Sequence, residues 1–167
     1  VLDEILIEHI VQAANKLGIP TCVDPKIRNF KSYKNVTLFK PNLKELKDGL
    51  NTPNVIGSDF DTLKRLAFEL LELSNHKMIM VTLSELGAII VQNGQYYHAP
   101  AHVRNITDVS GAGDTVISVA SLILACKGTS RQIIELSNLA GGLVCEKLGV
   151  EALSASELSS EVERLLS

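Results

Sequence analysis

The sequence predicts an α/β fold: a mainly parallel sheet with flanking helices and an antiparallel hairpin at one side. Three observations predict it. Helical apolar periodicity alternates with short, wholly apolar runs through the first half; Asn93-Gly94 separates two further strand-like runs; and from Ala112 onward the pattern is helical almost to the end. With 167 residues, 46% hydrophobic and 21% charged, residues 1–167 form one domain with enough apolar material for a real core.

The elements follow in order. Asp3 is placed to cap a helix whose apolar residues Leu6, Ile10, Val11, Ala14 and Leu17 recur at helical spacing, and Gly18 to end it. A strand over 20–24 comes next, then a polar loop with Asn29 and Tyr33. The run 36–39 reads as a second, buried strand that delivers Pro41-Asn42 at its carboxyl end, where a short helix begins. Ser58 or Asp59 starts a helix carrying Leu63, Leu66, Ala67, Leu70, Leu71 and Leu73, and 77–83 is a fully buried strand. Strands at 87–91 and 95–98 flank Asn93-Gly94, a pair suited to the positive φ angles of a type I′ turn. Breaks near Gly128 and Gly149 divide the remainder into three helices.

Composition excludes several classes. With 4% aromatic residues, no Trp and a net charge of −3, the chain suits neither base stacking nor phosphate-backbone binding, so no nucleic-acid partner is expected. Cys22, Cys126 and Cys145 form no C-x-x-C and read as three buried, reduced thiols. His9, His76, His98 and His102 fall on different elements and form no metal motif. No run approaches the roughly 20 apolar residues of a membrane span, and the acidic start Val1-Leu2-Asp3-Glu4 is no signal peptide, so a cytoplasmic protein is expected.

Sheets of this class bind ligands beyond the carboxyl ends of their strands. Three strand-to-helix segments lie there: 41–45, 82–87 and 110–114. Gly111-Ala112-Gly113-Asp114 precedes an apolar helical run, and small residues at a helix start let backbone N–H groups approach an anion closely. Asp114 alone reads equally as a first-turn acid favoured by the helix dipole. Asn42 with Glu45 forms a capping box by spacing, yet the same pair suits hydrated Mg²⁺ and phosphate oxygens. The sequence contains no G-x-x-x-x-G-K-[ST], and a dinucleotide fingerprint would need Gly at Val116 and an acid at a strand end, where Glu135 is helical.

Asp108-Val109-Ser110-Gly111-Ala112-Gly113-Asp114 resembles the active-site signature of the ribokinase-like (phosphofructokinase-B) carbohydrate kinases, and Asn42 to Glu45 resembles their N-x-x-E motif. Thr82-Leu83-Ser84-Glu85-Leu86-Gly87 is similar to the family's T-x-G-x-x-G loop, with Ser84 in place of the first glycine. That departure, with Asp24-Pro25-Lys26, Pro41-Asn42-Leu43 and Lys147-Leu148-Gly149, is most similar to the kinase domain of bifunctional heptose-7-phosphate kinase and ADP-heptose synthase proteins.

The resemblance implies an enzyme that phosphorylates a sugar or sugar phosphate, with ATP and Mg²⁺ as cofactors. Asp114 matches the general base, and Gly111, Ala112 and Gly113 the anion hole. Asn42 and Glu45 match the Mg²⁺ and phosphate-handling pair, the metal held through water. Thr82, Ser84 and Gly87 match the nucleotide loop. Asn138 matches a position near the adenine pocket, or is a polar residue on a helix facing solvent. Asp108 and Ser110 match positions near a monovalent-cation site of some relatives, implying K⁺. The subgroup implies heptose 7-phosphate as acceptor in ADP-heptose and lipopolysaccharide core synthesis. Ribose, fructose phosphate or a nucleoside remains open, as does a non-catalytic nucleotide-binding module. The family's acceptor-binding region and β-sheet lid precede the part seen here, so this chain alone is expected to be inactive; a homo-oligomer is compatible with the resemblance.

Overall fold

Side chains close most helix starts in this molecule, and the sheet grows from one short strand pair. A computed structural model describes residues 2–102 and 104–166; Val1, in the acidic opening segment, lies outside the described residues, as do Val103 and Ser167. Helix α1 (Glu4–Lys16) begins where the Asp3 carboxylate accepts the Leu6 N–H at 2.9 Å. It buries Ile7 and Val11, while Leu6, Ile10 and Leu17 of the expected apolar stripe are exposed. Ile7 and Val11 join a core cluster with Phe30, Val36 and Phe39, and β1 (Cys22–Val23) is the edge strand of the sheet.

β1 and β2 (Leu38–Phe39) are shorter than their apolar runs. The hydroxyls of Thr21 and Thr37 each accept the other's backbone N–H at 3.1 Å, beside the backbone bond from the Leu38 N–H to the Thr21 carbonyl at 2.9 Å. β2 leads into α2 (Leu43–Leu50), and α3 (Phe60–Leu73) is capped by Asp59. β3 (Met78–Thr82), β4 (Ala88–Gln92) and β5 (Gln95–Ala99) complete a sheet of order β1-β2-β3-β4-β5. β1, β2 and β3 run parallel; β4 and β5 are antiparallel, in the register Met80↔Ile90 and Ile90↔Tyr97. Asn93 and Gly94 take φ values of 49° and 75°, as a type I′ turn requires.

Alternate strand residues divide between two cores. Phe39, Ile79, Val81, Ile89 and Val91 pack with Leu46, Leu63, Ala67 and Leu70 of α2 and α3 on one face. Leu38, Met78, Met80, Ala88 and Ile90 pack with Val116, Ala120, Ile133 and Ile134 on the other. That second face is covered by α4 (Ala112–Ala125) and α5 (Ser130–Val144), which approach closely at Gly141, where an added Cβ would lie 2.6 Å from Val116. The chain ends in α6 (Ala155–Leu166). The thiols differ from the expected uniform burial: Cys145 is buried, Cys22 is half-buried, and Cys126, at the end of α4, is exposed.

Candidate active site

The carboxyl ends of β2 and β3 bring two of the expected segments together. Asn42 forms a parallel β-bridge with Thr82, and the Thr82 N–H donates to the Pro41 carbonyl at 3.2 Å. The N-x-x-E pair and the start of the Thr82–Gly87 loop are therefore adjacent strands' ends. The capping box is fully formed: Asn42 Oδ1 accepts from the Glu45 N–H at 2.8 Å, and Glu45 Oε2 accepts from the Asn42 N–H at 2.9 Å. The second carboxylate oxygen, Oε1, lies 3.9 Å from Lys26 Nζ.

The loop after β3 is a tight 3₁₀ turn at Ser84–Leu86, closed by the Leu83 N–H donating to the Gly87 carbonyl at 2.8 Å. Ser84 has φ 53°, in the left-handed region that favours glycine. Glycine would take this conformation freely, and Ser84 adopts it with strain. At Gly87 the demand is absolute. Its φ is 86°, and a Cβ there would lie 2.0 Å from the Ala99 carbonyl oxygen. The turn is thus pressed against the backbone leaving β5. His98 Nε2 lies 2.9 Å from the Leu86 carbonyl, and since a carbonyl can only accept, the imidazole carries its proton there.

From that backbone the contacts continue to α5 and α4. Asn138, half-buried on α5, donates from Nδ2 to the Pro100 carbonyl at 2.9 Å. It therefore anchors the segment after β5 rather than simply facing solvent. A turn further along α5, Gly141 lies against α4, 3.8 Å from the Ala112 carbonyl to its built Cβ. The contacts thus run from Asn42 through Thr82, Gly87 and Asn138 to the start of α4.

That start differs chemically from α2. Gly111, in the left-handed region at φ 79°, is its N-cap and makes no side-chain capping bond. The Ala112 N–H donates to Val109 at 3.3 Å and Thr115 to Gly111 at 2.9 Å, so Gly113 and Asp114 carry the first-turn N–H groups that no carbonyl of the helix can reach. Both residues are exposed. Asp114 stands in the first turn, where the helix dipole favours its negative form. Asp108 holds the approach: its carboxylate accepts from Ser110 N–H at 2.9 Å and Gly149 N–H at 3.2 Å. These bonds, Ser110's foremost, keep its carboxyl below the usual range.

One residue of this edge is not singled out by sequence patterning. Lys40, only 2% exposed, extends from the end of β2 to within 3.1 Å of Asp24, just beyond β1. Its signal was a lysine directly after the buried run 36–39 and before Pro41-Asn42, a costly position unless the ammonium is paired. Among the described residues no group of three or more His, Cys, Asp or Glu is placed to hold a metal ion, and no helix is long and apolar enough to cross a membrane.

Comparison with known proteins bears on the fold and the family. The chain is 36% identical over 160 residues to the bifunctional protein HldE of Pseudomonas putida, covering 94% of this chain and 33% of that protein. It superimposes on phosphofructokinase-2 from Escherichia coli in complex with potassium with a TM-score of 0.86, at 22% identity, over 99% of this chain and 54% of that one. Ribokinase of Arabidopsis thaliana complexed with ribose and ATP gives a TM-score of 0.80 at 16% identity, covering 95% and 52%. The chain thus spans about a third of the curated relatives' length and about half that of the solved structures. The model of the pfkB family carbohydrate kinases matches residues 1–157, and the chain belongs to that family.

Proposed function

We propose that residues 1–167 form the ATP-binding and catalytic portion of a carbohydrate kinase that phosphorylates heptose 7-phosphate at its anomeric hydroxyl. The observation that carries this is the α4 start, where uncapped first-turn N–H groups and the Asp114 carboxylate share one exposed turn. The likeness to HldE of Pseudomonas putida supports the choice of acceptor.

The chemistry follows from these groups. An alcohol at neutral pH is a poor nucleophile, so Asp114 accepts the hydroxyl proton as the oxygen–phosphorus bond forms and the bond to the β,γ-bridging oxygen breaks, releasing ADP. The N–H groups of the Gly111–Asp114 turn meet the charge spreading over the transferred phosphoryl oxygens. Thr82, Ser84 and Gly87 carry the nucleotide, and Asn138 fixes the wall beside its base. ATP with Mg²⁺ fits the residues present: the helix start lacks a competing side-chain cap, and Glu45 keeps one carboxylate oxygen outside its capping bond. Mg²⁺ supplies positive charge to the phosphates, with Asn42 and Glu45 as the residues that would hold its hydration shell. Asp108 and Ser110 lie where K⁺ would order the approach to the turn.

The test is ADP release by the full-length protein with ATP, Mg²⁺ and a panel of heptose 7-phosphate, ribose and fructose 6-phosphate. Turnover with heptose 7-phosphate above the others is expected. Turnover with another sugar only would overturn the acceptor, and none with any, in a folded protein that fails to bind ATP by calorimetry, the whole assignment. The 167 residues alone are expected to show no sugar-dependent ADP release, since a kinase must close its site against water.

A further inference from the structure

Helix α6 buries no residue fully, yet one of its carboxylates is nearly enclosed. Glu161 is 12% exposed because it meets Arg104, whose own side chain is 7% exposed. Arg104 lies in the segment between β5 and the Gly111 turn. Nη2 donates to Glu161 and Nη1 to Glu146, just past α5, at 2.9 Å, while the buried Nε has no partner among the described residues. Arg164 adds a second cation to Glu161 at 2.7 Å. Gly142 makes room for this arginine, since a Cβ there would lie 3.2 Å from Arg104 Cδ.

The same two stretches of chain meet three more times. The Thr107 and Asp108 N–H groups donate to the Cys145 carbonyl at 2.8 and 3.2 Å. The Gly149 N–H donates to the Asp108 carboxylate at 3.2 Å. Val150 lies against Gly111, 3.3 Å from the position of an added Cβ. Lys147 then binds Glu157 at 2.8 Å, and Ser154 with Glu157 caps α6. The segment 145–166 therefore meets the approach to the turn at Cys145, Glu146, Gly149, Val150 and Glu161, mostly through polar groups.

We propose that segment 145–166 is a brace that fixes the Gly111–Asp114 turn, with Arg104 as its positioning residue; the catalytic consequence rests on the kinase reading above. The physical reason is the contrast in burial. Exposed ion pairs specify little. The Arg104 side chain, 7% exposed, joins two separate stretches of chain by directed hydrogen bonds to Glu161 and Glu146, and losing either bond leaves a nearly buried donor unpaired. Its geometry is consequently tight, and the loop it belongs to inherits that precision. N–H donors that stabilise a developing charge have to stand in place before the reaction, so a looser turn slows the chemical step more than it weakens acceptor binding.

The experiment compares the full-length protein with Arg104→Met and Arg104→Lys. Amide hydrogen exchange comes first and needs no turnover. In Arg104→Met, residues 104–114 and 155–166 should exchange faster together while β3 and β4 keep their protection, and Arg104→Lys should restore part of the loss. In the kinase assay, Arg104→Met should lower kcat by about 10- to 100-fold, with acceptor KM changed less than about threefold. Faster exchange in 155–166 alone overturns the proposal, as does kcat within about twofold of the parent when both segments exchange faster. If Arg104→Met does not fold, Glu161→Gln, which leaves Arg104 its Glu146 partner, carries the same readouts. A parent protein without kinase activity overturns the kinase reading, and the exchange data still decide whether the brace exists.

Discussion

Acid should weaken this fold through the buried His76. The imidazole is 4% exposed, stacked on Phe39 with ring centroids 4.6 Å apart and planes 14° from parallel. Neither ring nitrogen has a hydrogen-bond partner among the described residues. Burial disfavours the imidazolium and depresses the pKa from 6.5 to about 4. The histidine is neutral in both folded and unfolded chains above pH 6.5, so its contribution is fully present there. As pH falls below 6.5 the unfolded chain takes up the proton first, and stability is lost until the folded value near 4 is reached. At about 1.4 kcal/mol per pH unit, that gap amounts to about 3 kcal/mol, of which about 2 is lost by about pH 5. The measurement is urea unfolding of the parent and His76→Leu from neutral pH down to about pH 4, taking the difference between them so that other titrating groups cancel. His76→Leu also removes two unpartnered polar atoms, so it should be at least as stable as the parent at neutral pH. Curves that stay parallel across the range would refute the reasoning, because they would mean that the buried ring is protonated at no cost.

Four further outcomes are expected. Asp114→Asn keeps a residue suited to a helix start but removes the base, so turnover at saturating substrates should fall by about 10² to 10⁴-fold with thermal stability nearly unchanged; activity within a few-fold of the parent would leave Asp114 a helix-start acid only. Gly87→Ala forces a Cβ into the Ala99 carbonyl, so it should destabilise by more than about 1 kcal/mol and weaken ATP binding, and an unchanged melting temperature would contradict the packing described. Ser84→Gly relieves a left-handed backbone, worth about 1 kcal/mol, while freeing the unfolded chain by a similar amount; calorimetry should find ATP affinity unchanged if the loop backbone binds, and reduced if the hydroxyl does. The carboxyls of Glu157 and Glu161 are depressed to about 2 by Lys147 and by Arg164 with Arg104, respectively, so their contribution is present above 4.5 and lost only as pH falls toward 2. Carboxyl-carbon NMR titration with midpoints near 4.5 would show the brace to be absent.

Much of this architecture was legible because the relevant signals are local. Periodicity located α3, β3 and the hairpin, and Asn93-Gly94 named its own turn through two positive φ angles. The capping box of Asn42 and Glu45 could be read from spacing alone, because a cap is completed within four residues. What escaped was set by neighbours distant in sequence. The exposure of Leu6, Ile10 and Leu17 depends on what packs against α1, which no pattern within the helix records. The reciprocal hydroxyl bonds of Thr21 and Thr37 join residues 16 apart, so no local pattern records them. Lys40 was overlooked because its partner, Asp24, stands on a different strand end, and an isolated lysine in a sequence says nothing of the carboxylate that permits its burial.

The departure at Ser84 joins these two kinds of information. A sequence pattern with glycine replaced suggests a lost function, whereas the φ of 53° at Ser84 keeps the backbone path that glycine would take. What that path requires comes from elsewhere. Gly87 must meet the Ala99 carbonyl, and Pro100 must receive Asn138, before α5 can set the start of α4 beside Gly141. The antiparallel pair β4 and β5 makes this possible, since the return strand ends beside the loop that β3 opened. The hairpin therefore sets the backbone against which the loop after β3 packs, with the end of β5 beside Gly87.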